Sequence, residues 1–317
     1  MSTTAIDVRG LRKSYGDKTV LDGIDLTIAA GSIFSLLGPN GAGKTTTVQI
    51  LSTLIPADDG ELHVAGYDVT REPEAVRATI GVTGQFSAVD ELMTAEENLL
   101  LMGDLHHLDR RESKRRAGEL LEKLDLVDAR GKMAQTFSGG MTRRLDLAMT
   151  LLGEPSIIFL DEPTTGLDPR SRRAVWDIIR GLVAEGMTVF LTTQYLEESD
   201  ELADRIAVLD HGRIVAEGTP DQLKRLVPGG YIRLQFADMD SLAAAANTLN
   251  GALRNGHDLT LQVPSDGGIG SLRAVLDRLD HARIPVDGLS VHTPDLDDVF
   301  LALTGHATGK ETEAALR

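Results

Sequence analysis

The sequence predicts an α/β chain: a parallel core flanked by an antiparallel sheet, interrupted by a helical segment and followed by a small α+β domain. Three observations predict it. The run Ser32 to Leu37 reads as a buried strand, a glycine-rich loop follows, and Thr45 to Leu54 reads as a helix, so the order is strand, loop, helix. From about Ala95 to Leu152 the apolar spacing turns helical. Strand and helix patterns then alternate again from Ile157, as in a parallel sheet.

Short alternating segments at Ile6 to Val8, Ile24 to Ile28 and Leu62 to Ala65 predict the antiparallel sheet beside the loop. Helices are predicted over Glu96 to Leu105, Glu112 to Leu124 and Met141 to Leu151, forming a helical subdomain at about 86–152. The core resumes with a strand at Ile157 to Leu160, a helix at Arg172 to Ala184 and a strand at Thr188 to Thr192. A helix at Leu196 to Leu202 and a strand at Ile206 to Leu209 follow. Asp210 to Arg213 reads as a hairpin turn, and Thr219-Pro220 as the start of a helix ending near Leu226. Val227 to Gly230 marks a boundary, which gives domains at 1–226 and 231–305 and a frayed tail at 306–317. In the second domain, strands at Tyr231 to Phe236, Leu259 to Val263 and Val286 to Val291 are separated by helices at Ser241 to Leu249 and Ser271 to Leu279.

Length and composition bound the function. With 317 residues, 42% of them hydrophobic, the chain can bury one large core and a small one. A formal charge of -16 disfavours direct nucleic-acid binding, which rests on Lys and Arg neutralising phosphates. The absence of cysteine excludes disulfides and thiolate chemistry and fits a cytosolic chain. No leader pattern opens the sequence and no run nears the roughly 20 apolar residues of a membrane span. Any membrane role must therefore go through a partner.

The chemistry sits in two segments. Gly38, Pro39, Asn40, Gly41, Ala42, Gly43, Lys44, Thr45 and Thr46 fit the phosphate-binding pattern G-x-x-x-x-G-K-S/T at every fixed position. Glycines let the backbone wrap the phosphates with its NH groups inward, Lys44 adds a point charge, and the Thr45 hydroxyl can ligate magnesium. The second segment, Ile157 to Glu162, is an apolar strand ending in two carboxylates at the carboxyl edge of the sheet. There Asp161 would hold Mg2+ and Glu162 would polarise the water that attacks the γ-phosphate.

Five elements in order make the chain resemble the nucleotide-binding subunits of ABC transporters over about residues 5–225: the phosphate loop, Gln85 in Val82 to Gln85, Phe137 to Met141, the Asp161-Glu162 strand, and Gly166 to Asp168. Thr192 to Glu198, Leu296 to Phe300 and the C-terminal extension resemble the daunorubicin/doxorubicin-resistance exporter type. The resemblance implies a P-loop NTPase core of the ABC type that hydrolyses ATP with Mg2+ to power export through a separate multi-spanning permease. It implies Lys44, Gln85, Glu162 and Gln194 as catalytic, and Thr45, Gln85 and Asp161 as metal ligands. It also implies that Ser138, Gly139 and Gly140 present NH dipoles to the nucleotide of a second copy in a head-to-tail dimer, with Asp168 at the same junction. Tyr15 takes the place of the aromatic that stacks on the base; stacking discriminates bases poorly, so GTP remains an alternative. For Phe86, Val89 and Leu92 the readings are contact with a permease or core packing.

Two positions depart from the family pattern. Gln194 stands where most members carry His, so its side chain can donate a hydrogen bond but cannot titrate. Met141 replaces the usual glutamine, removing a polar contact to the opposite nucleotide. Rival functions are a soluble ABC ATPase acting on ribosomes or DNA, and an import ATPase. The short interval from Lys44 to Ser138 leaves no room for a chromosome-type coiled coil, and one cassette is fewer than translation factors usually carry. The basic run Arg110, Arg111, Lys114, Arg115 and Arg116 reads foremost as a solvated helix face, His106 and His107 lack spaced companions for a metal, and Trp176, Ile178 and Ile179 read as core.

Overall fold

Strands buried on both faces explain the continuous apolar runs. The computed structural model describes residues 4–226, 230–249, 251–254, 259–265, 268–292 and 294–304, so all of the expected boundary at 227–230 except Gly230, and the tail at 306–317, lie outside the described residues. The central sheet contains β3 (Ile33–Leu37), β6 (Ile80–Thr83), β7 (Ile157–Asp161), β8 (Thr188–Thr193), β9 (Arg205–Asp210) and β10 (Arg213–Gly218) in the order β10-β9-β3-β8-β7-β6. All neighbours pair in parallel except β10, which returns antiparallel to β9 through the two-residue turn His211-Gly212, both at positive φ. Along β7, Ile158 and Leu160 pack on the helical side while Ile157 and Phe159 pack on the other, the period-2 alternation of a strand covered twice. Phe190 of β8 meets Phe34 and Phe159 at ring-centroid distances of 5.6 and 5.5 Å.

The second layer is the predicted antiparallel sheet: β1 (Thr4–Tyr15), β2 (Lys18–Ala29), β4 (Asp59–Val64) and β5 (Tyr67–Asp68), ordered β2-β1-β4-β5. Val8 stands opposite both Leu26 and Leu62, which puts the apolar alternation of three strands into one core with Phe34 and Phe159. Helices α1 (Lys44–Leu51) and α2 (Pro73–Thr79) precede the helical subdomain, which holds α3 (Ala95–Leu105), α4 (Arg110–Lys123) and α5 (Gly139–Leu151). Helices α6 (Pro169–Ala184) and α7 (Leu196–Leu202) complete the core. Helix α1 ends at Leu51, three residues before the Leu54 expected from periodicity, because Thr53 adopts a left-handed φ of 65° and turns the exposed Leu54 away.

The chain divides into two compact units, Met1–Pro220 and Asp221–Arg317. The division precedes the expected boundary at 226 because most of α8 (Pro220–Lys224) groups with the second unit. That unit contains β11 (Tyr231–Gln235), α9 (Met239–Thr248), β12 (Leu253–Arg254), β13 (Thr260–Pro264), α10 (Ile269–Ala282), β14 (Gly288–His292) and α11 (Leu296–Thr304). Its antiparallel sheet, ordered β12-β13-β11-β14, sets Ile232, Leu234 and Leu261 against Leu242, Ala245 and Leu279 of α9 and α10. Among the described residues no helix is long and apolar enough to cross a membrane.

Candidate nucleotide site

The phosphate loop leaves β3 at Gly38 and enters α1 at Lys44. A Cβ on Gly38 would lie 2.3 Å from the Leu209 carbonyl oxygen, so only glycine lets the loop start against β9. Gly43, at φ 115°, is the N-cap of α1, and a Cβ there would lie 2.6 Å from the Leu21 side chain. No side chain caps α1 and no acid occupies its first turn. The helix therefore offers its first-turn NH groups to an anion from outside. A cavity of about 420 Å³ opens there, lined by Lys18, Val20, Asn40, Gly41, Gly43, Lys44, Thr45, Thr46, Gln85 and Glu162.

Lys44 is 4% exposed, and its ammonium donates to the carbonyls of Gly38 at 2.9 Å and Pro39 at 3.2 Å. It also stands 3.2 Å from Glu162 Oε1, so the loop's cation and the second carboxylate of the Asp161-Glu162 pair meet in the same cavity. Asp161, at the end of β7, is buried and accepts a 2.5 Å hydrogen bond from the Thr192 hydroxyl. Glu162 follows in a left-handed conformation (φ 50°); its NH donates to the Thr192 carbonyl and hydroxyl, both at 3.1 Å. Gly38 NH donates to the Thr193 carbonyl at 3.2 Å, so the end of β8 secures both the loop and the carboxylate turn.

The other expected residues are more scattered. Ser138 is the N-cap of α5, its hydroxyl accepting from Met141 NH at 3.3 Å. Gly140 packs against α6, where a Cβ would lie 2.5 Å from Ser171 Oγ. Asp168 caps α6, accepting from the NH groups of Arg170 and Ser171 and from the Ser171 hydroxyl at 2.6 Å. That hydroxyl and the neighbouring amides hold its carboxyl below the usual carboxylate range. Tyr15 is half exposed, with the Lys13 ammonium 5.6 Å from its ring centroid. Gln194 follows β8 directly. None of Tyr15, Ser138, Gly139, Gly140, Asp168 and Gln194 lines the cavity that holds Lys44. Phe86 and Leu92 are exposed (88% and 73%), so of Phe86, Val89 and Leu92 only Val89 packs against the core. Arg115 and Arg116 of the basic run pair with Glu112, Glu119 and Glu154.

One residue that sequence reasoning missed is Arg143, which reaches the backbone on both sides of Glu162. An arginine in mid-helix gives no sequence signal of that role; only its burial does.

The uncapped α1 terminus, the glycine cradle and the buried ammonium fit a nucleoside triphosphate, and Thr45 and Gln85, both on the cavity wall, fit a hard divalent cation. Comparisons with known proteins agree. The family model for ABC transporters matches residues 21–165. The chain is 50% identical over 307 residues to the daunorubicin resistance ATP-binding protein DrrA3 of Streptomyces coeruleorubidus, covering 96% of this chain and 97% of that protein. It is 47% identical to the daunorubicin/doxorubicin resistance ATP-binding protein DrrA of Streptomyces peucetius (99% and 96% covered) and 35% identical to the linearmycin resistance ATP-binding protein LnrL of Bacillus subtilis (95% and 98%). A solved ATP-binding subunit of an ABC transporter superposes with a TM-score of 0.63 at 29% identity, covering 70% of this chain and 93% of that one. The chain belongs to the ABC transporter family as an ATP-binding cassette, an ATPase whose hydrolysis is coupled to transport.

Proposed function

We propose that the chain powers export of a small amphipathic molecule, as a head-to-tail dimer bound to a separate multi-spanning permease at the cytoplasmic face of a membrane. Near-full-length similarity to proteins named for daunorubicin, doxorubicin and linearmycin resistance supports the direction of transport. The observation that carries the chemistry is the shared cavity in which the Lys44 ammonium faces Glu162 at the uncapped start of α1.

In this reading the NH groups of Gly41 to Thr46 surround the β- and γ-phosphates, and Lys44 turns from Glu162 to the γ-phosphate oxygens. Glu162, so released, accepts a hydrogen bond from a water. As that water's oxygen bonds to the γ-phosphorus and the bond from phosphorus to the bridging oxygen breaks, the water's proton passes to the Glu162 carboxylate and from there to the released phosphate or solvent. The bridging oxygen leaves with ADP, and ADP and phosphate depart. Thr45, Gln85 and Asp161 would hold Mg2+, which would neutralise charge on the phosphates. Gln194 would donate to the γ-phosphate, and Tyr15 would stack on the base. In a second copy, Ser138, Gly139 and Gly140 at the start of α5 would complete the site, with Asp168 fixing the adjoining start of α6.

The test is Glu162→Gln. The loop and Lys44 persist, so MgATP binding should survive while turnover falls by about 10²-fold or more, the range of a lost general base. Tagged Glu162→Gln chain, mixed with MgATP and detergent-solubilised membranes from its native cells, should recover a multi-spanning permease at similar abundance. Recovery of ribosomes or DNA-end proteins in its place would overturn the export reading.

A further inference from the structure

Helix α5 turns one polar face toward the end of β6 and the loop that carries Gln85. Arg143, Asp146 and Thr150 lie at helical spacing on that face. Thr150 shares a 2.8 Å hydrogen bond with Thr83, the last residue of β6. Arg143 is 8% exposed and its guanidinium donates to four acceptors: the carbonyls of Pro163 (2.7 Å), Gly84 (3.0 Å) and Asp161 (3.4 Å) and the Asp146 carboxylate (3.2 Å). Asp146, 3% exposed, accepts with its other oxygen from Ala88 NH at 3.2 Å.

These bonds have a common geometry. Arg143 holds the residue before Gln85 by its carbonyl, and Asp146 holds the residue three after Gln85 by its amide, so the ion pair grips the loop at both ends. The same guanidinium holds the carbonyls on both sides of Glu162, whose left-handed backbone is strained and persists only where its surroundings over-determine it. Burial pulls the Arg143 charge down and pushes the Asp146 carboxyl up, each opposed by the other's charge. A buried ion pair of this kind adds little stability over an apolar pair, which leaves geometric specificity as its use.

Resting on the assignment of Gln85 and Glu162 to the hydrolytic site, we propose that Arg143 and Asp146 are a positioning pair that sets the Gln85 loop and the Glu162 turn in fixed register with the helix that begins at Ser138. Arg143 touches no nucleotide in this role; it acts through the backbone of the residues that do. Because Ser138 caps the same helix, displacement of its start by a second copy is transmitted to both groups through one side chain.

The test compares full-length Arg143→Gln, Asp146→Ala and Asp146→Asn with wild type and with Glu162→Gln. Arg143→Gln should lower kcat about tenfold to a hundredfold, the effect of a misplacement near 1 Å, with KM for MgATP within about threefold. Hydrogen exchange at Ala88 should quicken about tenfold in Asp146→Ala, as expected for losing one charge-assisted bond. Asp146→Asn, which keeps an acceptor for the Ala88 NH while setting its NH2 against Arg143, should restore most of that protection and only part of the kcat. A purely structural role would lower thermal stability without splitting kcat from KM. If Glu162→Gln abolishes turnover while Arg143→Gln keeps wild-type kcat, or Ala88 exchange is the same in Asp146→Ala and wild type, the positioning pair is refuted and the site stands. If Glu162→Gln turns over normally, the assignment of the site itself fails. Should Arg143→Gln fail to fold, the Asp146 pair of variants decides by the same criteria.

Discussion

Glu198 shows how far a single residue can be read from its surroundings. It lies on α7, fully buried, and its Oε1 accepts from the Thr164 hydroxyl at 2.8 Å and from the Trp176 indole NH at 3.0 Å. Burial pushes its carboxyl above the ordinary value of 4.5, against hydroxyl and indole donors that favour the charged form. The folded chain therefore holds this proton more tightly than the unfolded chain. Stability should fall as pH rises above 4.5 through the raised folded value. Glu198→Gln keeps the shape and an acceptor while removing the titration. Its Tm should decline less than that of wild type as pH rises across that window, and parallel Tm curves would contradict this account. In the sequence, Glu198 is one of several acids in Glu197 to Glu201, and only the fold separates it from its solvated neighbours. Lys44 is the opposite case, since the glycine-rich pattern around it marks it as a phosphate-binding candidate in the sequence alone.

At the scale of elements, the two helices that flank the carboxylate strand meet through a glycine. A Cβ at Gly140 would lie 2.5 Å from Ser171 Oγ and 2.9 Å from its Cβ, so α5 and α6 approach as closely as they do because that position has no side chain. Gly140→Ala should push the helices apart and cost about 1 to 3 kcal/mol, read as a lower urea midpoint. Adding Ser171→Gly removes the atoms it meets and should recover part of the loss; an unchanged midpoint in Gly140→Ala alone would show that the contact yields freely. The element pattern was largely legible. Four of the six core strands follow from apolar runs, because burial on both faces leaves little room for polar residues, and the hairpin signal at Asp210 to Arg213 marks where the more exposed β10 begins. The exception, β6, has only four residues and one of them is Gly81, which packs within reach of Thr150; so short a run carries no period. Helix starts were less legible than helix bodies, since α6 begins at Pro169 under an Asp168 cap, three residues before its apolar stripe becomes readable.

Among the described residues the buried apolar side chains form a pair of clusters around the central sheet and a further cluster within the second unit. Every residue of the nucleotide cavity belongs to the first unit. Thermal unfolding of the full chain should therefore show two calorimetric transitions. MgATP at a hundredfold over its Kd should raise only the transition of the first unit, adding about 2.7 kcal/mol to it. A single transition, or an equal shift of both, would mean that the units unfold together. The formal charge of -16 spread over this chain bears on solubility, not on the site, which the loop glycines and one lysine define locally.

By itself the sequence determined the chemistry and the architecture class. The phosphate loop, the carboxylate strand and the signature segment are contiguous motifs, and contiguous motifs are visible because backbone conformation couples residue type to spacing over a few positions. Only the tertiary structure decided which of those motifs share a cavity, that Lys44 rests against Glu162, and that Asp168 spends its carboxylate on a helix cap. It alone revealed the buried polar partners Arg143, Asp146 and Glu198. The physical reason is that burial and hydrogen bonding between residues far apart in the chain depend on how layers pack, and a charged side chain looks the same in sequence whether it ends in water or in the core.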